Sequence, residues 1–105
     1  MLRILYYFQR WFAVRHVMSL LDYYDFHSCH DHSIEYHGTL SATRYLKNAL
    51  IKAGYSLNIH TTSSGWDVET LYRADLDICI DIWYSDYINE ENNHVEVFVD
   101  FSKNL

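Results

Sequence analysis

At 105 residues, half of them hydrophobic and 17% aromatic, with a net charge of −6, the chain is long enough to bury one core without metal or disulfide staples and too apolar to stay disordered. Cys29 and Cys79 stand in no paired motif, which argues against a stapled secreted scaffold or a zinc ribbon and for a reducing, cytoplasmic setting. The absence of Pro, the three Gly and the lack of any repeat period leave no signal for a linker or a solenoid, so a single domain over residues 1–105 is expected.

The apolar N-terminus, MLRILYYFQRWFAVRHVMSLL, is interrupted by Arg3, Gln9, Arg10, Arg15 and His16. It offers neither the unbroken core of a signal peptide nor the roughly 20 apolar residues of a membrane span. From residue 2 to about 24 no turn signal intervenes, so the segment reads as a helix. Its apolar residues spread almost all round the wheel, which suits a buried core helix or one whose far side meets a second protomer in a homodimer.

Residues 25–38, DFHSCHDHSIEYHG, form a polar, His-rich connection with room for a short strand at 33–37. Ala42, Tyr45, Leu46, Ala49, Leu50 and Ala53 then follow helical spacing over 41–53, with Thr39 or Ser41 as N-cap and Gly54 where a left-handed C-terminal cap belongs. Arg44, Lys47, Asn48 and Lys52 of this helix are expected to face water. After Gly54 the period changes from 3.6 to 2. Strands are expected at about 55–62, with Leu57 and Ile59 inward, and at 66–72, 75–83 and 94–101, the second of these competing with a short helix begun at Asp67. The expected fold is α+β, an antiparallel sheet of about four strands packed against two helices.

Charge divides along the chain. Residues 1–52 carry six Lys/Arg against four acids, net +2, and residues 53–105 carry two against ten, net −8. In DLDICIDIW (75–83), Leu76, Ile78, Ile80 and Ile82 alternate with Asp75, Asp77, Cys79, Asp81 and Trp83; in HVEVFVDF (94–101) the polar alternation holds His94, Glu96, Phe98 and Asp100. Pairing the two so that both apolar faces reach one core requires residue numbers that sum to an odd value. The register centred on Ile88 and Asn89 sets Asp81 against Glu96 and Asp77 against Asp100, and each like-charged pair costs on the order of 1 kcal/mol in water. Registers shifted by two relieve the direct opposition and keep the face acidic. Asp86, Glu90 and Glu91 extend the charge into the connecting loop.

Three roles fit such a face: a solvated surface that discourages edge-to-edge aggregation, a recognition surface for a basic partner, or a site for Mg²⁺, Mn²⁺ or Ca²⁺. A hairpin nuclease site normally places a Lys near its second acid, and the residue two beyond Glu96 is Phe98. No GxSxG, Gly-rich phosphate loop or HExxH occurs. The acidic pole repels nucleic acid and attracts cationic protein surfaces. The expectation is therefore a small acidic, non-enzymatic binding protein without a cofactor, which inhibits a basic, nucleic-acid-binding partner as nucleic-acid mimics and nuclease-immunity proteins do, a likeness of charge and size only. Its contact set is Asp75, Asp77, Asp81, Trp83, Asp86, Glu90, Glu91, Glu96, Phe98 and Asp100. The alternative is a divalent-metal enzyme or metal-binding module using the same acids or the His-rich segment, where His27, Cys29, His30 and His32 are the candidate ligands, although their spacing matches no zinc pattern.

Overall fold

The computed structural model describes residues 2–28, 35–63, 67–84 and 94–101. The second helix, α2 (Leu40–Lys52), starts and stops where its sequence directs. The Thr39 hydroxyl accepts the Ala42 N–H at 3.1 Å, and Gly54 follows the C-terminus at φ +99°, a conformation that a Cβ would strain. The buried face carries Thr43, Leu46 and Leu50; the Thr43 hydroxyl is satisfied by the Thr39 carbonyl at 2.8 Å.

Around α2 the chain builds one antiparallel sheet from β1 (His27–Ser28), β2 (Glu35–Thr39), β3 (Ser56–Thr61), β4 (Asp67–Arg73), β5 (Ile78–Tyr84) and β6 (His94–Asp100). The spatial order is β1-β2-β6-β5-β4-β3, so the sheet has six strands where about four were expected. The two additions come from the His-rich segment, whose polar composition conceals them. In β2 only Tyr36 is a large apolar residue pointing at the core, and Gly38 lies where a Cβ would collide with the Phe26 ring. The segment at 67–73 is a strand and not a short helix begun at Asp67. Strands β3 to β6 form a meander, and β6 returns beside β2, so α2 crosses from β2 to the far edge of the sheet.

Both helices pack on one face. Ile78, Ile80 and Ile82 of β5, Val95, Val97 and Val99 of β6, Leu71 and Tyr36 meet Leu46 and Leu50 of α2 and Val17 and Leu21 of α1 (Leu2–Tyr23) in one buried cluster. The alternating buried and half-buried residues along β5 follow from the two-residue pleat.

Two expectations are corrected by the packing and a third is narrowed. Leu57 and Ile59 do lie on the helix side of the sheet, in line with Leu71 and Glu69, yet they are 40% and 65% exposed, and no residue of β3 joins the buried cluster. Lys47 does not face water: its ammonium sits 2.8 Å from the Glu69 carboxylate, half-buried between α2 and β4. Beside it the Tyr84 hydroxyl titrates well above its ordinary range, first because it is buried and then because it hydrogen-bonds Glu69. Finally, α1 is not enclosed. Among its described side chains only Val17 and Leu21 are fully buried, while Ile4, Leu5, Tyr7, Phe8, Trp11 and Phe12 are each more than half exposed.

Coverage by a helix, rather than the face a residue points to, sets what each apolar side chain contributes. Ile80→Ala is expected to destabilise the fold by about 2–5 kcal/mol, and Ile59→Ala, on the same face, by less than about 1 kcal/mol. Urea unfolding of the two variants measures both; equal losses would contradict this account.

Candidate functional site

The other face of the sheet has no helix on it among the described residues. Pairing carries its outward positions across the strands in rows. His27, His37, Glu96, Trp83, Val68 and His60 form one, Glu35, Phe98, Asp81, Thr70 and Asn58 the next, and Asp100, Cys79, Tyr72 and Ser56 a third. Four carboxylates stand among these residues and no Lys or Arg does. The described cations, Arg3, Arg10, Arg15, Arg44, Lys47, Lys52 and Arg73, belong to the two helices or to the helix side of β4. The charge asymmetry of the sequence thus becomes an asymmetry between layers.

The β5–β6 register differs from the one centred on Ile88 and Asn89. Cys79 pairs with Asp100, Asp81 with Phe98 and Trp83 with Glu96, so no two acids are directly opposed in this hairpin. The β4–β5 connection also departs from the expected strand. Ala74–Leu76 form a 3₁₀ turn, Asp77 takes a left-handed conformation at φ 54°, and Ile78 is the first strand residue. The expected strand at 75–83 is therefore interrupted at its start, which removes Asp75 and Asp77 from the acidic row. Asp and Asn are the non-glycine residues that best tolerate this conformation.

Each displaced acid has a partner. Asp75 is held by a two-point contact from Arg73 at 2.7 and 3.2 Å, and that hydrogen bonding lowers its pKa. Asp77 accepts the Tyr6 hydroxyl at 2.6 Å, while Arg10 Nε donates to the Leu76 carbonyl at 3.0 Å, so the turn anchors the N-terminal half of α1.

On the open face, Asp81 accepts the Thr70 hydroxyl at 2.7 Å, which fixes its rotamer beside the edge-to-face pair of Trp83 and Phe98, 5.9 Å between centroids. Two rungs of β2 and β6 bring Glu35, His37 and Glu96 together, with one ligand-type atom from each lying within 4.8 Å of the others. His37 Nε2 is 3.6 Å from a Glu35 oxygen. All three are half-buried. His27 pairs directly with His37 from β1.

Of the expected contact set, the structure gathers Asp81, Trp83, Glu96, Phe98 and Asp100 on one face and places Asp75 and Asp77 at its end. Asp86, Glu90 and Glu91 lie outside the described residues, as do Cys29, His30 and His32 of the candidate zinc set. Glu35 and His37 were legible as metal-binding types within the His-rich segment but not as neighbours of Glu96. Their spacing of two residues, which puts both on one side of a strand, was the available signal. No family model, curated protein or solved structure matches the chain. Among the described residues no helix is long and apolar enough to cross a membrane.

The Tyr6–Asp77 contact leaves a mark on the titration of the phenol. The hydrogen bond to the carboxylate raises the Tyr6 pKa above its ordinary value, because ionising the phenol would set two negative oxygens against each other. Asp77→Asn, which keeps the backbone conformation available, is expected to lower the Tyr6 pKa in an NMR titration of the tyrosine rings. An unchanged value would show that the contact does not persist in solution.

Proposed function

We propose that this chain is a non-enzymatic binding protein whose open sheet face docks on a basic protein and covers a surface that the partner uses for nucleic acid. One observation carries the reading: Glu35, Asp81, Glu96 and Asp100 share that face with Trp83 and Phe98 and with no Lys or Arg among the described residues. Glu96 and Asp100 stand two rows apart on β6, about 13 Å along the strand, with Glu35 and Asp81 flanking the row between them on the neighbouring strands, and a rigid sheet presents them without an ordering cost. The aromatic pair supplies the apolar anchor that a salt-sensitive surface needs for residence time. Asp75 and Asp77 stay out of this footprint because Arg73 and Tyr6 hold them.

The reading predicts association that slows at least tenfold between low and physiological salt. A bound partner should also be displaced by duplex or single-stranded nucleic acid. Combined Asp81→Lys, Glu96→Lys and Asp100→Lys should abolish capture of that partner, as read by surface plasmon resonance. Undiminished capture by this variant would refute the proposal.

A second reading, assembly of two copies through α1, is favoured by the exposed side chains at Ile4, Leu5, Tyr7, Phe8, Trp11 and Phe12. An aromatic side chain offers about 150–250 Å² when wholly exposed, so these half-exposed residues together present several hundred Å², toward the roughly 800 Å² per partner of an ordinary interface. Sedimentation should then give twice 12.6 kDa, and Phe8→Glu with Trp11→Glu should return the mass to 12.6 kDa. A wild-type mass of one chain at high concentration rules the dimer out.

A further inference from the structure

We propose that Glu35, His37 and Glu96 form a binding site for Zn²⁺ on the open face of the sheet. The site joins the His-rich segment, through β2, to the acidic hairpin, through β6.

Its geometry follows from the pairing of β2 with β6. His37 stands directly across from Glu96, and Glu35, two residues earlier, projects on the same side two rungs away. Opposed side chains of an antiparallel pair start about 5 Å apart at Cβ. A tetrahedral ion with bonds of about 2.0–2.1 Å needs its donor atoms roughly 3.4 Å apart. His37 Nε2 and the Glu35 oxygen already stand at 3.6 Å, and every donor of the trio lies within 4.8 Å of the others. Closing the remaining gap needs only rotation within the Glu35 and Glu96 side chains.

The backbone beneath these residues is held firmly. Tyr36 and Val97 pair on the intervening rung and point to the opposite side, where both are buried in the core. Neither β2 nor β6 is an edge strand. The ligands therefore start from fixed positions, which lowers the ordering cost of closing around an ion.

The donor set selects the metal. An imidazole nitrogen favours Zn²⁺ and its transition-metal neighbours over Mg²⁺ and Ca²⁺, which prefer all-oxygen cages. Two carboxylates make the trio formally −2 when the imidazole is neutral, and no Lys or Arg on the face, among the described residues, opposes a cation there. Three protein ligands leave a fourth position for water on the side away from the sheet. His27 and the rest of the His-rich segment are not required.

The test is calorimetric titration of the whole chain with ZnCl₂ in a non-chelating buffer, paired with the visible spectrum of the Co²⁺-loaded protein. The expected result is one ion per chain, a tetrahedral Co²⁺ spectrum, and at least tenfold weaker binding in both His37→Gln and Glu96→Gln. The combined variant His27→Gln, Cys29→Ser, His30→Gln and His32→Gln should stay within threefold of wild type. No saturable Zn²⁺ uptake by the wild type overturns the proposal. So does uptake that survives His37→Gln, or uptake lost in the four-residue variant and kept in Glu96→Gln. The site shares Glu35 and Glu96 with the partner-binding surface but does not rest on that reading. Asp81→Asn with Asp100→Asn, which weakens docking on a basic partner, should leave Zn²⁺ binding within threefold, so either idea can fail without the other.

Discussion

Five rungs between β2 and β6 hold this molecule together across the length of its chain. Glu35 to Thr39 pair with Phe98 to His94. Without them the C-terminal meander would be a four-stranded sheet ending at β6, and the N-terminal hairpin would have nothing to extend. With them, α2 must travel from β2 across the sheet to reach β3, and in doing so it covers the valine and isoleucine stripes of the central strands. The same rungs place Tyr36 in the core and Glu35 and His37 on the opposite face. One set of backbone hydrogen bonds thus builds both the buried layer and the open one.

The open face owes its character to a local event at the other end of the sheet. An uninterrupted strand over 75–83 would have carried Asp75, Asp77 and Asp81 in one line. The 3₁₀ turn and the left-handed Asp77 end that line at Ile78. Two acids leave the face for Arg73 and Tyr6, and the hairpin settles into a register in which aromatic or sulfur-bearing side chains stand opposite the remaining carboxylates. The electrostatic strain of the simplest register is removed by backbone geometry, with no counter-ion needed for that purpose. What survives is a sparser acidic surface built around Trp83 and Phe98.

Much of this was legible in the sequence where a single period dominated. The helix over 40–52 declared itself through its apolar spacing and Thr39 cap, and the alternation of Val95, Val97 and Val99 fixed which side of β6 is buried. The turn at 74–77 was hidden because Ala-Asp-Leu-Asp continues a period-two pattern and holds no Gly, Pro or Asn. Strand β2 was only half visible, since Glu35-Tyr36-His37-Gly38-Thr39 carries one apolar anchor and its partner is about sixty residues away. The wheel of α1 could not say which side the sheet would claim, because large apolar residues occupy both. The trio of Glu35, His37 and Glu96 depends on strand order, which one-dimensional periodicity does not encode.

The two borders of the sheet are unequal. At one, β1 is two residues long and offers almost no backbone for a neighbour to read; at the other, β3 runs for six residues, exposed along its whole length and paired on one side. Short edge strands resist strand addition, whereas long ones with apolar side chains such as Leu57 and Ile59 invite it. Cooperativity should be graded accordingly. Amide protons of β3 belong to the least protected part of the sheet and those of β5 and β6 to the most, so the fold opens by peeling from the β3 border inward, well before its centre is disturbed.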